Sequence, residues 1–394
     1  MDLSLTYEQK SLIETVRAFV RERIVPLEDE LDPDASELPE ADHERLVAET
    51  KQMGLFNLGA PPELGGPDID TVTNSLLAIE MSQHRAGLYT PCYGVFGSAA
   101  GLAQLFGATE EQKEKYLYPT LRGEKSGFFA LTEPSGGSDP GRAVRTKAVQ
   151  EGDTWVLNGS KVFISGADTA DYGLVFARTG SLEDGRNGLT CFIVDAGTPG
   201  FAVRRVIHTL RSGHYATELH FDDARIPAEN VLGEVNKGFG VANELLTRQR
   251  VVYSAGCLGP AYRAHEMAVE YAPQREVFKK TLAEHEGIQW MLVDNEMDLR
   301  TATLAVLHAA DLADRGQPFR TEAAVAKILA SEAAGRVVDR CIQIHGGYGV
   351  TKDLPLERWY RELRIRRIGE GTTETQRMVI SRDILAGRHR PVLR

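Results

Sequence analysis

The pattern of apolar and polar positions changes twice along the chain, and residues 1 to about 120 are predicted to be helical. Thr6 and Gln9 are spaced as a capping box for the first helix, and Pro26 is expected to end it. The acidic stretch 28–40 is expected to be a surface loop, and further helices are predicted at 42–53, 71–82 and 110–121. The apolar stripe of the first helix is Leu12, Ile13, Val16, Phe19, Val20 and Ile24.

Between about residues 125 and 235, short apolar runs alternate with turn residues and predict β-strands. Turns are expected at Glu151-Gly152-Asp153 and at the dipeptide Asn158-Gly159. Because no helical pattern lies between the runs, an antiparallel, barrel-like sheet is favoured over a parallel one. The strands are predicted at 145–149, 155–157, 161–165, 188–194 and 217–221.

From residue 238 onward, helical patterns return in segments long enough for a bundle. Gly238-Phe-Gly240 falls short of a dinucleotide-binding fingerprint and is interpreted as a helix entry, because no buried strand precedes it. Thr373 and Gln376 are spaced as the capping box of a last helix that stops near Gly387. The predicted fold is α+β, mostly α: an N-terminal helical domain (1–122), a middle antiparallel β-barrel-like domain (123–236) and a C-terminal four-helix bundle (237–394).

Composition narrows the classes of function. The chain has 394 residues, 42% hydrophobic and 26% charged, which is ordinary for a soluble protein of more than one core. A net charge of −11 argues against general affinity for nucleic acid or anionic membranes. With no apolar run long enough to span a bilayer and no secretion signal, a cytoplasmic location is expected. The four cysteines and the histidines form no ligand cluster, so buried reduced thiols and no metal site are expected.

Three segments carry candidate chemistry. In the first, residues 128–140, Gly136, Gly137 and Ser138 would let backbone N–H groups approach an anion, although a solvated turn would look similar. The second, residues 343–349, has three glycines within four positions, more than a helix stop requires. The third, residues 366–376, places Glu370 between two glycines before a helix, where a solvated carboxylate is the simpler alternative.

These segments, in this order, resemble the acyl-CoA dehydrogenase family over essentially the whole chain. The motif L-T-E-P-x-x-G-S-D occupies 131–139, Q-x-x-G-G-x-G occupies 343–349, and Glu370-Gly-Thr372 follows. Arg275-x-x-Phe278 with Leu282 and His285 is a supporting match. The resemblance implies bound FAD, and its expected contacts are Phe129, Leu131, Thr132, Gly137, Ser138, Phe163, Ser165, Arg275, Phe278, His285, Gln343, Gly346, Gly347, Thr372 and Glu374.

The resemblance also implies the assembly and the partners. Arg275, Phe278 and the 343–347 loop are expected to reach a neighbouring subunit's FAD, in a homo-oligomer arranged as a dimer of dimers. Electrons are expected to pass to electron-transferring flavoprotein. The acyl-CoA substrate is expected to meet Ser138, Thr247, Arg250 and Gly371.

By resemblance, Glu370 is the base that removes the α-proton of the thioester, and hydride leaves the β-carbon for flavin N5, giving a trans-2-enoyl-CoA. Its backbone N–H would help to hold the enolate oxygen. Burial would raise the pKa of such a carboxylate and make it a stronger base. Relatives with the base elsewhere carry it before an arginine, but Gln249 precedes Arg250 here and an amide cannot act as the base. Glu374 is the nearest competitor.

Several positions depart from the family pattern. Gly369 stands where an aromatic residue commonly precedes the base, so a wider pocket for a bulky, branched, cyclic or polar acyl group is expected. Segment 210–216, which includes His214, replaces a usual G-x-R-x-S-x-T stretch. Lys279, Glu286 and Glu374 also differ from the common residues. A flavin oxidase or monooxygenase, and a non-catalytic acyl-CoA-binding protein, remain the alternatives.

Overall fold

The computed structural model describes residues 4–97, 99–213 and 215–388. Two compact units share them, and each is described separately. The helical unit comprises Met1–Leu46, Ile69–Val95 and Thr247–Arg394, and the sheet unit comprises Val47–Asp68 and Phe96–Leu246.

The helices and strands are numbered in chain order. The α-helices are α1 (Tyr7–Phe19), α2 (Val25–Glu28), α3 (Glu40–Gln52), α4 (Thr71–Met81), α5 (Glu110–Gln112), α6 (Tyr118–Arg122), α7 (Pro140–Ala143), α8 (Gly238–Tyr271), α9 (Glu286–Asp314), α10 (Arg320–His345), α11 (Leu356–Arg366) and α12 (Thr373–Leu385). The strands are β1 (Gly127–Ala130), β2 (Lys147–Glu151), β3 (Thr154–Ser165), β4 (Tyr172–Arg178), β5 (Leu189–Asp195), β6 (Phe201–Ile207), β7 (Ala216–Pro227), β8 (Val231–Leu232), β9 (Glu276–Val277) and β10 (Lys280–Thr281).

In the helical unit, α10 is the central element and packs against α9, α11 and α12. Small side chains on α10 allow close approach, since alanine adds little width to a helix. The core around it also contains Leu299, Val306 and Trp359, none of them exposed. The buried alanines of α10 are Ala323, Ala324, Ala326, Ala330, Ala333 and Ala334. The bundle predicted for the C-terminal third is therefore present as long, tightly packed helices.

In the sheet unit, the described strands form one sheet with the order β6-β7-β3-β2-β4-β5-β8, and β1 pairs with β4. Most pairs are antiparallel, but β1 and β2 each run parallel to β4. The end strands β6 and β8 do not pair with each other, so the sheet is open rather than closed into a barrel. Strands β4 and β5 form its buried centre. The antiparallel, barrel-like prediction was therefore only partly right.

The Asn158-Gly159 dipeptide is a bulge and not the predicted turn, because β3 continues through it. Asn158 bonds the side chain and the N–H of Asp223 on β7, which keeps the pairing intact. Gly159 has a φ of 153°, and a Cβ there would collide with Thr146. The turn at Glu151-Gly152-Asp153 is present and joins β2 to β3.

Pro26 does not end the first helix as predicted. A π-helical turn, Val20–Ile24, widens the backbone before the proline, and the helix resumes as Val25–Glu28. Such a turn tolerates the missing proline N–H. The capping box of Thr6 and Gln9 is present as predicted.

Two further local predictions were wrong. Glu28, expected in a surface loop, is 4% exposed and accepts bonds from His84, Tyr93 and two backbone N–H groups. The last helix is capped by Thr372 rather than Thr373, since the Thr372 hydroxyl accepts the Thr375 N–H. Gly238 opens α8 as a plain helix entry, as predicted.

Candidate active site

The Glu370 loop connects α11 to α12 in the helical unit. Glu370 has a φ of 55°, a left-handed conformation that few residues other than glycine adopt. Its carbonyl oxygen accepts bonds from Arg250 Nε at 3.3 Å and Gln376 Nε2 at 3.1 Å. Gly371 has a φ of 88°, which favours glycine, and a Cβ there would also press on the amide end of Gln376. The backbone at Glu370 is thus fixed from both sides.

A second set of contacts joins the two ends of this loop, Arg367 and Thr373, to helix α10. The Arg367 carbonyl accepts the Lys327 ammonium at 3.1 Å and the Thr373 N–H at 3.1 Å. Glu332, also on α10, binds the Arg367 guanidinium at 2.8 Å and the Thr373 hydroxyl at 3.0 Å. Burial lowers the pKa of Lys327 to about 8, against the opposing influence of Cys257, Glu332 and Glu370. Lys327 and Glu332 were not among the predicted site residues.

The side chain of Glu370 is exposed in this chain. Residues of its own unit therefore do not supply the burial that was predicted for a base with a raised pKa. The charge of its carboxylate still affects the neighbouring Arg250. Burial lowers the pKa of Arg250, and the Glu370 charge opposes that shift. Arg250 is accordingly a cation that an observed bond holds at the Glu370 carbonyl.

Gly369 does not leave the open space that its sequence suggested. A Cβ built on Gly369 would lie 2.9 Å from Tyr253 Oη, a phenol on α8. The missing side chain before Glu370 is thus replaced by one from a neighbouring helix. The wider acyl pocket expected from Gly369 stays a prediction.

The glycine-rich loop of the sheet unit follows β1. The Thr132 carbonyl accepts the Val162 N–H at 3.0 Å, which ties the loop to β3. Glu133 and Lys161 form a buried ion pair at 2.7 Å, and Glu133 also accepts the Thr146 N–H. Burial lowers the pKa of Lys161 to about 8, although Glu133 opposes the shift. A lysine within a strand of apolar residues was the available signal for this pair, and it was missed.

Several residues that were predicted to contact flavin lie at the surface of this loop or on β3 beside it. Gly137 and Ser138 are exposed, and a Cβ on Gly137 would lie only 3.1 Å from Thr132 Cγ2. Phe163 projects from β3 at a φ of 59° and is 62% exposed. An exposed ring beside exposed N–H and hydroxyl groups fits a flavin with its phosphates.

The other predicted residues of the sheet unit lie close by. Phe129 and Leu131 are partly buried, and Phe129 packs on Phe176 with ring centroids 5.0 Å apart. Ser165 Oγ accepts a bond from Arg211 at 3.0 Å, which connects β3 to the divergent segment 210–216. His214 of that segment lies outside the described residues.

A cavity of about 490 Å³ gathers several predicted residues of the helical unit. Arg275, Gln343, Gly346 and Gly347 line it, with the rings of Tyr271 and Tyr348. The guanidinium of Arg275 can bind a phosphate, the amide of Gln343 can bond a ribose hydroxyl, and the two glycines let either group approach the backbone. This arrangement fits part of a dinucleotide cofactor such as FAD.

Phe278 and His285 lie beside that cavity rather than in its lining. Phe278 and Lys279 form the two-residue turn between β9 and β10, with φ values of 50° and 62°. Lys279 therefore adopts the left-handed conformation for which glycine is favoured. His285 hydrogen-bonds the Val277 carbonyl through Nε2 at 3.2 Å, which holds the hairpin against α9.

The remaining predicted residues are placed as follows. Thr372 caps α12, and Glu374 is exposed in its first turn, where a hydrogen bond from its own backbone N–H lowers the pKa of its carboxyl. Thr247 lies on α8, one turn before Arg250. Glu286 begins α9. Across the described ranges, no helix is long and apolar enough to cross a membrane, and no group of three His, Cys, Asp or Glu side chains could hold a metal. All four cysteines are buried and free.

Comparison with known proteins gives the class and then the family. Sequence models of the acyl-CoA dehydrogenase N-terminal, middle and C-terminal domains match residues 6–124, 128–224 and 236–385. With the glycine-rich loop and the carboxylate loop described above, these matches define a flavin-dependent oxidoreductase. The chain belongs to the acyl-CoA dehydrogenase family, and its cofactor is FAD.

Individual relatives are similar over nearly their whole length. The chain is 39% identical to the 3-(aryl)acrylate reductase of Clostridium sporogenes, over 96% of this chain and 99% of that protein. It is 36% identical to the caffeyl-CoA reductase-Etf complex subunit CarC of Acetobacterium woodii, over 86% of this chain and 89% of that protein. The structure of butyryl-CoA dehydrogenase from Megasphaera elsdenii has a TM-score of 0.86 and 34% identity, covering 98% of this chain and all of that one.

Proposed function

We propose that this enzyme dehydrogenates the α,β bond of an acyl-CoA thioester and that Glu370 removes the α-proton. The observation that carries the proposal is the fixed, left-handed backbone of Glu370, held through its carbonyl by Arg250 and Gln376. Such strain is found where a side chain must point in one direction.

The chemistry assigned to the chain is deprotonation and charge stabilisation. The α-proton of a thioester is weakly acidic, so its removal needs a carboxylate within hydrogen-bond reach and a donor at the developing enolate oxygen. The Glu370 N–H has no acceptor among the described residues, so it is available as that donor. Bound FAD would supply the hydride acceptor. Because Glu370 is exposed in this chain, cofactor and substrate must complete its dry environment.

The remaining assignments follow from the family. Arg250 uses Nε on the Glu370 carbonyl, which leaves its other donors for a CoA contact, as proposed also for Thr247, Ser138 and Gly371. Electron-transferring flavoprotein is the proposed electron acceptor, and one relative is named as the subunit of a complex with Etf. A cytoplasmic dimer of dimers and the domain limits at 122 and 236 stay predictions.

Reduction of an enoyl thioester is a second candidate, because several relatives are named as reductases. The same residues would bind the substrate in this direction. Glu370 would give a proton to the α-carbon instead of removing one. The direction then depends on the potential of the electron partner and not on a different site.

The test is anaerobic titration of the purified holoenzyme with straight, branched, cyclic and aryl-substituted acyl-CoAs. We expect the visible absorbance of the flavin to bleach with at least one of them, and an enoyl-CoA to restore the absorbance of the reduced enzyme. A protein that holds FAD but responds to no acyl-CoA and no enoyl-CoA would contradict the proposal. Faster turnover with oxygen than with electron-transferring flavoprotein would instead indicate the oxidase alternative.

A further inference from the structure

Arg366, the last residue of α11, is buried without a carboxylate partner. It is 8% exposed, and its guanidinium carbon lies 4.1 Å from the ring centroid of Tyr253 and 4.4 Å from that of Tyr89. One Nη atom donates to the Leu88 carbonyl. Two aromatic faces therefore cover the cation, and this cation–π contact partly replaces its lost hydration.

The donors of this guanidinium are not used up. Arg366 Nε has no hydrogen-bond partner, and across the described residues no aspartate or glutamate forms an ion pair with Arg366. A buried cation without a counter-ion is unfavourable unless something else supplies the negative charge. A guanidinium presents its donors in a planar fork that matches a carboxylate.

The cluster lies next to the loop of the proposed base. Tyr253 Oη occupies the space beside Gly369, and Gly369 immediately precedes Glu370. Burial raises the pKa of Tyr253. The Arg366 charge opposes this shift, and the Glu370 charge adds to it. Tyr253 and Tyr89 are each only partly buried.

We propose that Arg366, with Tyr89 and Tyr253, binds a carboxylate at the far end of the acyl group, so that the substrate is the CoA monothioester of a dicarboxylic acid. This inference rests on the proposed function and names the substrate class for the same site. The carboxylate takes the free Nε edge of Arg366, and the phenol of Tyr253 supplies a further donor. An aryl group would instead stack on the tyrosines and leave Nε unpaired. Aryl-substituted thioesters are therefore compared with the dicarboxylic ones in the test.

The first test needs no variant. Flavin reduction by glutaryl-CoA and adipyl-CoA is compared anaerobically with reduction by pentanoyl-CoA and hexanoyl-CoA and by the monomethyl esters of the two diacids. We expect the free carboxylates to give a ratio of reduction rate to dissociation constant about 10- to 100-fold higher, the range for a hydrogen bond to a charged group. Equal or better reduction by the uncharged or aryl chains overturns the inference while leaving the dehydrogenase function intact. If no thioester reduces the flavin, both proposals fail.

Variants then assign the effect to Arg366. Arg366→Met is expected to lose the preference for the free carboxylates over the uncharged chains. The matched control is Arg364→Met, which removes an exposed arginine from the same helix and should keep the preference. If Arg366→Met does not fold, Tyr253→Phe keeps the ring and deletes only the hydroxyl, and it should reduce the preference several-fold. An undiminished preference in a folded Arg366→Met protein overturns the assignment.

Discussion

Two candidate residues that are not glycine have a left-handed backbone conformation. Glu370 and Phe163 have φ values of 55° and 59°, and each was singled out from the sequence for its chemistry. Such a conformation costs on the order of 1–3 kcal/mol and persists only where the surroundings determine it. At Glu370 the surroundings are Arg250 and Gln376, and at Phe163 they are the bulged pairing of β3 with β7.

Glu28 is a buried carboxylate at the end of α2 whose charge should stabilise the fold. Burial alone would raise the pKa of its carboxyl, but His84, the Ala86 N–H and Tyr93 together lower it to about 2. Because the folded pKa lies below the ordinary value, the stabilisation is complete above about pH 4.3 and is lost as the pH falls towards 2. Glu28→Gln should reduce the free energy of unfolding at neutral pH by about 3 kcal/mol, measured by urea denaturation.

The control for Glu28→Gln is Glu30→Gln, an equal change at an exposed position two residues away. It should leave the urea midpoint nearly unchanged. Similar midpoints for the two variants would show that the buried carboxylate is not the source of the stability.

At the scale of elements, helix α10 holds the loop that carries Glu370. Lys327 and Glu332 bind the loop through Arg367 and Thr373, on either side of the proposed base. The loop is therefore held against a helix that lies in the core of its unit.

Lys327→Met should loosen this loop and remove a positive charge near Glu370. We expect kcat to fall by about 10-fold or more with a smaller change in KM, because the base is displaced rather than the substrate contacts. The pH profile of kcat should also shift, since the variant lacks a group with a pKa of about 8. Lys352→Met, an exposed lysine in the same unit, is the control. An unchanged pH profile and kcat would contradict the positioning role.

Element types were predictable from the sequence where local signals and packing agree. The capping box of Thr6 and Gln9 and the long apolar patterns of α9 and α10 gave the helices. Predictions from local signals were wrong where contacts outside the local segment, or an irregular helical turn, determine the backbone conformation. Asn158 is held by Asp223 on another strand, and a π-helical turn accommodates Pro26. The sequence could not show whether the sheet closes into a barrel. Closure requires the two end strands, β6 and β8, to pair with each other, and no local signal in either strand determines this.

At the scale of the whole molecule, α9 carries an exposed apolar stripe. Its members recur at helical spacing and would be covered in the predicted homo-oligomer. They are Trp290, Val293, Met297 and Leu304, which are 63%, 56%, 63% and 48% exposed.

The double change Val293→Glu and Met297→Glu should dissociate the oligomer, because two charges cannot be buried without partners in an apolar interface. Light scattering should show a lower mass, and FAD per chain should fall if a neighbouring subunit completes the cofactor site. Leu182→Glu, an equally drastic change in the sheet unit, should affect neither quantity. An unchanged mass would remove α9 from the interface.

The candidate site was predictable to the extent that its residues lie in continuous motifs. The segments at 131–139, 343–349 and 370–372 could be read directly. The supporting residues Lys161, Lys327 and Arg366 could not, because each acts through a partner distant in sequence, namely Glu133, Arg367 and Tyr89.

The central claim concerns Glu370, and its most direct test is the rate of anaerobic flavin reduction in Glu370→Gln beside Glu374→Gln. We expect Glu370→Gln to retain FAD and to reduce the flavin at least ~10³-fold more slowly with the best acyl-CoA, as expected for loss of a general base. Glu374→Gln, which removes an exposed carboxylate four residues away, should stay within about 10-fold of the unmodified enzyme. Near-normal reduction in Glu370→Gln would contradict the claim, and a larger loss in Glu374→Gln would assign the base to that residue.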